Sequence, residues 1–379
     1  MREVTVAAQG WDASRYEAET AFIYGEQTWG SLFADGDGQP IPYTDNSARP
    51  YITKSLEILG ISEQDLKRMH VFNIGTGREA IIFRELGAGE VTLLDIAKAN
   101  VENTARYAQR HGLSNISTIH GDIEEVALPS DSYDLVFLAG VYQHIRTPAT
   151  ALINLAQALK PGGKMYLGFY RSGEWKYFIV DTIRHLLPRG LFATVKRQIA
   201  LSCTLGQARH YQMARMLDDF FVPCQHKFHP RMVIHDAQRL GLAVQTFDND
   251  FREYHHEGGG YFSIGGDRIY LTKAQARTPR PDLTELQTTR GLNQLTDVPY
   301  AEPLIHANLQ LIRQLRELIV QGRVPEAEVA LLAINLYRFT RPFDPEHDEY
   351  FQRSVKEGRH RTLNGYVTNV VRAYGSTNP

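Results

Sequence analysis

Cysteine is nearly absent from this 379-residue chain: Cys203 and Cys224 are the only two. Two thiols cannot make a disulfide framework, and their scarcity fits a reducing compartment. No uncharged run approaches the 18 apolar residues that a bilayer-spanning helix needs, so no membrane span is expected. The opening residues lack a basic stretch followed by an apolar run, so no secretory signal is expected either. An excess of one charge is also missing, with 41 Lys and Arg against 43 Asp and Glu and a net charge of −2. That balance argues against a dedicated nucleic-acid or membrane-surface protein, both of which usually carry a basic excess. There is no repeat of fixed period, no low-complexity tract, and no pair of histidines four apart on a helix to suggest a metal. What remains, at 43% hydrophobic and 22% charged residues, reads as a cytoplasmic globular enzyme of two or three domains.

The chain divides by rhythm. Residues 1–67 read as a helical leader or cap, interrupted by a turn-rich stretch over 34–42. A helix is expected over 51–59, and a second is opened by Ser62 as N-cap with Asp65 three residues on. From Val71 short apolar runs alternate with helical patterns. Strands are expected at 71–74, 91–94, 116–119, 135–138 and 165–169, and helices at 79–86, 96–111 and 150–159. Short apolar strands between helices signal a parallel sheet covered on both faces. Residues 172–228 read as a helical insertion, followed by a helix over 230–240 and strands at 243–247 and 268–271. The α/β domain thus spans 68–277. A linker over 278–282 leads to an all-α C-terminal module, 278–379, with helix starts near Pro303, Pro325 and Pro345. Its apolar stripe includes Leu309, Ile312, Leu315, Leu318 and Ile319.

The first strand–helix junction, residues 71–80, carries Gly75-Thr76-Gly77 and then Ala80. Glycine supplies positive φ and lets a ligand approach the main chain, while the helix start offers unpaired N–H groups. Asp95, twenty residues after Gly75 at the end of the second strand, can accept hydrogen bonds from both ribose hydroxyls of an adenosine. This arrangement also satisfies the dinucleotide fingerprint, so a nicotinamide cofactor stays open at this point.

Two later features favour a sulfonium cofactor. Asp122, in His120-Gly-Asp-Ile123 after the third strand, can accept from an adenine amino group, with Ile123 against the ring. Residues 132–144 and the Lys160-Pro-Gly-Gly163 turn complete an ordered set of four motifs. At these residues the chain resembles the class I S-adenosylmethionine-dependent methyltransferases, closely over about 70–170 and more weakly over about 20–273. The resemblance implies a doubly wound, Rossmann-like sheet of seven mostly parallel strands, with residues 268–271 in the final, antiparallel one. It also implies that Gly75 and Gly77 pass the amino-acid part of the cofactor and that Asp95, beside Ile96, binds the ribose. Asp122 and Ile123 would hold the adenine, while Ala139 and Gly140 border the methionine part and the substrate. Two departures stand out: Asn73 where the family usually has an acid, and Glu79 where it often has a third glycine. Asn73 can hydrogen-bond but carries no negative charge for the cofactor's amino group. Glu79 narrows the turn unless it points away.

Methyl transfer from a sulfonium requires alignment and, where needed, deprotonation of the acceptor, so catalytic residues vary within the family. Tyr142 and His144 lie at the rim after the fourth strand, where ligands sit in open α/β sheets. His226 and His229, in a segment resembling one that crosses the active-site mouth of related small-molecule methyltransferases, are candidate bases at neutral pH. Each of the three histidines could instead only fix local structure. The polar loop over 248–260 reads as turn chemistry. Between Asp181 and Asp218 every charge is basic, including Arg184, Arg189, Lys196, Arg197, Arg209 and Arg215, which could recruit an anionic substrate or form a solvated face. Tyr24, Trp29 and Phe33 resemble an aromatic leader that covers the cofactor or substrate, and Trp29 could equally be a docking staple. The leading expectation is a methyltransferase of a small, possibly anionic molecule. The alternatives are a tRNA or protein methyltransferase, a nicotinamide-dependent oxidoreductase and an inactive cofactor-binding scaffold. The C-terminal helices could serve a homodimer or a partner protein.

Overall fold

In a computed structural model of the chain, residues 13–34, 38, 41–42, 48–172, 175–202, 207–249, 254–255, 261–262, 267–275, 281–289, 302–338 and 359–375 are described. The expected loop over 248–260, the linker, the turn-rich stretch of the leader and the helix start near Pro345 lie wholly or largely outside them. Five parallel strands come first: β1 (His70–Ile74), β2 (Glu90–Asp95), β3 (Ile116–His120), β4 (Tyr133–Leu138) and β5 (Leu159–Phe169). β6 (Leu242–Asn249) and β7 (Asp267–Lys273) complete a seven-stranded sheet of order β3-β2-β1-β4-β5-β7-β6. β7 runs antiparallel to both of its neighbours. An all-parallel dinucleotide fold lacks this inserted last strand. The strands of the sheet centre are buried on both faces, which is why β1, β2 and β4 read as continuous apolar runs.

One face is covered by α2 (Ala48–Ile58) and α4 (Arg78–Glu85), around Phe83, Phe137, Tyr166 and Tyr270. Just after α2, the short helix α3 (Glu63–Leu66) is opened by the expected cap. Asp65 N–H donates to Ser62 Oγ, and the Asp65 carboxylate accepts from Ser62 N–H. α5 (Lys98–Arg110) follows β2. The other face carries α6 (Pro148–Ala158) and α10 (Pro230–Arg239) over Leu138, Leu152, Met165 and Leu271.

A second layer is entirely helical. The insertion supplies α7 (Trp175–Leu186), α8 (Phe192–Ser202) and α9 (Gln207–Phe221). The C-terminal part supplies α11 (Glu302–Val320), α12 (Glu326–Arg338) and α13 (Arg359–Gly375). All six share one hydrophobic cluster, which also takes Ile23 from the leader. The stripe on α11, Ile312, Leu315, Leu318 and Ile319, is thus buried against this chain's own helices. The leader enters as α1 (Ala13–Ala21) and a π-helical turn, Phe22–Gln27.

Candidate cofactor and active site

The turn between β1 and α4 is built on backbone shapes that only glycine adopts without strain. Gly75 has φ +137° and Gly77, the N-cap of α4, has φ +94°. A Cβ on Gly77 would sit 1.9 Å from Thr104 Oγ1, whose hydrogen bond to the Asn100 carbonyl holds it in place. Thr76 stays partly exposed between them. Asn73 is fully buried, and its Nδ2 donates to the Phe137 carbonyl at 3.0 Å. Its Oδ1 has no hydrogen-bond partner among the described residues, an orphan acceptor beside the turn. Glu79 turns away toward α2, accepting from Tyr51 at 2.5 Å and pairing with Arg78. Burial works against its charge, but Arg78 and Tyr51 outweigh it and hold the carboxyl below its usual range. The turn is therefore not narrowed.

Asp95 ends β2, almost buried, with Oδ1 accepting from Ala97 N–H (2.7 Å) and Asn100 Nδ2 (3.2 Å). Burial nevertheless pushes its carboxyl up to about 7. Asp122, after β3, accepts from Glu124 N–H at 2.8 Å, and burial raises it to about 6. Ile123 is buried in the hydrophobic cluster beneath, and Ile96 is partly exposed beside Asp95. After β4, Ala139 is partly buried and Gly140 exposed at φ +68°. These residues line the carboxyl ends of β1 to β4, where open α/β sheets bind ligands. The orphan acceptor Oδ1, the glycine-only turn and the two carboxylates fit a ligand with an ammonium group, a ribose and an adenine.

The leader closes this edge. Gly25 and Gly30 lie so near α5 that a Cβ would come within 3.3 Å and 3.0 Å of Ala97 and Ala99 Cβ atoms, and Asn103 Nδ2 donates to the Gly30 carbonyl. Trp29 stacks on Phe33 at 5.9 Å.

Beyond β4, His144 ends a 3-10 turn, Tyr142–His144. Its Nδ1–H donates to the Cys224 carbonyl at 3.0 Å, a tautomer assigned from the bond, which leaves Nε2 as a bare lone pair. Nε2 is buried without a hydrogen-bond partner, 4.0 Å from Asp218 Oδ1. Burial pushes the imidazole down to about 3, so it is neutral at pH 7. Tyr16 donates to the His144 carbonyl, Tyr170 meets the ring edge-on at 5.4 Å, and Tyr24 donates to Asp218 at 2.8 Å. Behind them α7, α9, α12 and the segment after α9 share a buried polar cluster: Tyr337 and Gln225 donate to Asp219, and Lys227 to Asp181.

The other acid–base candidates go elsewhere. Tyr142 is fully buried and donates to Thr288, which in turn bonds Asp236 on α10. His226 is buried and bound to the backbone of Arg146 and Ile145, with burial holding it down to about 4. His229 is the N-cap of α10, accepting from Arg231 N–H. Of the basic stretch, Arg184 donates to the Asp219 and Val222 carbonyls at the end of α9, Arg189 pairs with Glu19, and Lys196 donates to Gln27. Asp218 is not among the residues that the sequence marks, because nothing local distinguishes it. Only folding sets it beside His144, 74 positions away in the chain.

The family described as "Methyltransferase domain" matches residues 72–167. A ubiquinone biosynthesis O-methyltransferase of Rickettsia prowazekii is 32% identical over 110 residues, 28% of this chain and 42% of that protein. Aklanonic acid methyltransferase DauC of Streptomyces sp. (strain C5) is 32% identical over 136 residues, 34% of this chain and 60% of that one. A tRNA U34 carboxymethyltransferase of Azotobacter vinelandii is 30% identical over 105 residues, 27% and 33% of the two chains. The chain thus spans less than two thirds of each of these relatives. The matched segment coincides with the strands β1 to β5 and the turns after them, and it favours S-adenosylmethionine over a nicotinamide cofactor. Residues 72–167 belong to a methyltransferase domain of the class I type, whose cofactor is S-adenosylmethionine.

Proposed function

We propose that the chain transfers a methyl group from S-adenosylmethionine to a small molecule that binds beside His144, Asp218, Tyr24 and Tyr170. The observation that carries this is the buried, unpartnered Nε2 of His144, set just beyond the β4 loop inside an enclosure of tyrosines. Asn73 Oδ1 receives the cofactor's ammonium, and the Gly75-Thr76-Gly77 turn cradles its amino-acid part. Asp95 and Ile96 hold the ribose, Asp122 and Ile123 the adenine, and Ala139 and Gly140 border the methyl. When bound, S-adenosylmethionine supplies an activated methyl group. The chain aligns the acceptor, excludes water and takes a proton at His144. Tyr142, His226 and His229 support the loop and helix that carry it. Enclosure by the leader and the helical layer suits a small acceptor. Exposed Arg215, whose charge reaches Tyr170, supports an anionic group at the mouth.

A tRNA acceptor is the second reading, supported by the likeness to the carboxymethyltransferase. A homodimer or partner protein would meet the polar outer side of the C-terminal helices. No described helix is long and apolar enough to cross a membrane. The cytoplasmic setting is carried by composition alone. Transfer of labelled methyl from the cofactor into fractionated cell extract tests the reading. Label is expected in the small-molecule fraction and lost with Asp95→Ala. Label confined to RNA or protein overturns the small acceptor, and no transfer at all favours the scaffold.

A further inference from the structure

The carboxylate of Asp219 lies behind the acceptor side of the proposed site, held by residues that the sequence scatters. It sits in the last turn of α9, next to Asp218, and is only 1% exposed. Its Oδ2 accepts from the Tyr337 hydroxyl of α12 at 2.6 Å and its Oδ1 from Gln225 Nε2 at 3.1 Å. Tyr337 and Gln225 are buried too. A carboxylate removed from water must keep such donors, because losing one leaves a charged acceptor short of a bond. Burial, and then the Asp219 charge, hold the Tyr337 hydroxyl protonated, so it stays a donor.

Both arms of this carboxylate lead to His144. Along α9 the neighbour of Asp219 is Asp218, whose Oδ1 takes the Tyr24 hydroxyl at 2.8 Å and lies 4.0 Å from His144 Nε2. Through Gln225 it steadies the segment after α9. There the Cys224 carbonyl takes His144 Nδ1–H at 3.0 Å, and His226 N–H donates to the Gln143 carbonyl at 2.7 Å. Phe220 meets the Tyr337 ring edge-on at 5.3 Å, so α12 grips the last turn of α9 by an apolar contact as well as a polar one. The matched domain, 72–167, contains His144 but neither α9 nor α12. Tyr337 comes from the C-terminal helices, 118 positions beyond Asp219 in the chain.

We propose that Tyr337 is a positioning residue of the acceptor side. By holding Asp219 together with Gln225, it fixes the end of α9 and the Cys224 carbonyl, and through them the tautomer and orientation of His144. Resting on the methyltransferase reading above, this role gives the C-terminal helices a part in the site itself. Tyr337 acts only through Asp219, and a change at either residue reaches His144 by the same route.

The test follows the imidazole N–H resonances of the full chain grown with isotope-labelled histidine; the His144 signal is the one lost in His144→Gln. Its exchange with solvent is expected to be at least about tenfold faster in Tyr337→Phe than in the native chain. Gln225→Met, which cuts the other arm, should act in the same direction. Tyr337→Phe combined with Asp219→Asn should exchange no faster than Asp219→Asn alone, since the hydroxyl has then lost the charge it serves. Val329→Ala, in the same helix and core cluster, should lower the melting temperature and leave this signal unchanged. In the labelled-methyl assay, Tyr337→Phe should lower the maximal rate at least about fivefold, with affinity for S-adenosylhomocysteine kept within about two-fold. Native exchange in Tyr337→Phe, equal acceleration by Val329→Ala, or an undiminished rate of transfer overturns the proposal. Should Asp219→Asn fail to fold, the comparison of Tyr337→Phe with Val329→Ala decides alone. Absence of transfer by the native chain would instead bring down the methyltransferase reading, and the N–H comparison would still judge the link from Tyr337 to His144.

Discussion

Burial pushes the Asp95 carboxyl up to about 7, even though Ala97 N–H and Asn100 pull the other way. In the proposed site the ribose hydroxyls donate to the ionised form, so binding there must first remove a proton below that pH. Affinity for S-adenosylhomocysteine is therefore expected to climb as pH rises from 6 and to level off above 7. Calorimetry should show it about tenfold weaker at pH 6 than at pH 8. Asp122, raised to about 6, adds to the loss at the acid end. Asp95→Asn should flatten the profile and weaken binding at pH 8 by roughly 1–3 kcal/mol. At Gly77, alanine meets both a positive φ and Thr104 Oγ1 at 1.9 Å. Gly77→Ala should cost about 1–3 kcal/mol of stability in urea unfolding. Adding Thr104→Ala should restore the part due to the clash and leave the part due to φ.

At the scale of elements, the segment from Pro223 to Pro230 joins the helical layer to the sheet. Lys227 is 2% exposed and pairs with Asp181 on α7, Phe228 N–H donates to the Tyr170 carbonyl, and His226 N–H to the Gln143 carbonyl. Lys227→Met should cost about 3–5 kcal/mol, because it strands a buried carboxylate. Pairing it with Asp181→Leu should recover most of that loss in thermal melts. This segment shows where sequence reading stops. Its histidines and acids look alike in the chain, yet folding makes His229 a helix cap, His226 a backbone anchor and Asp218 the neighbour of His144. The Ser62–Asp65 cap and the alternating strands were legible because they depend on spacings of a few residues.

Across the molecule, insertion and C-terminal helices share one core, although the sequence separates them by the last two strands. Removing residues 302–379 should expose the apolar sides of α7 and α8, giving an insoluble product or one that binds a hydrophobic dye strongly. Acid stability is a second property of the whole. Burial lowers His144 and His226, so the unfolded chain takes their protons first and stability falls as pH drops below the usual histidine range. Asp95 and Asp122 act in the opposite direction, taking protons in the fold that the unfolded chain does not hold. Without cofactor, Asp95→Asn should therefore lose melting temperature more steeply than the native chain between pH 7 and pH 5.

The sequence by itself determined the local frame of the sheet's carboxyl edge: glycines where φ is positive, Asp95 and Asp122 after their strands, and apolar runs for a sheet buried on both faces. Those features are local, set by backbone sterics and by residue spacing along single elements. The tertiary structure decided everything that depends on long-range closure. It turned Glu79 away to Tyr51, committed Arg184 to the end of α9 and Arg189 and Lys196 to the leader, and brought Asp218 and Tyr24 to His144. No periodicity encodes such contacts, because they arise only when separate helices bury a common apolar face and carry their polar residues together.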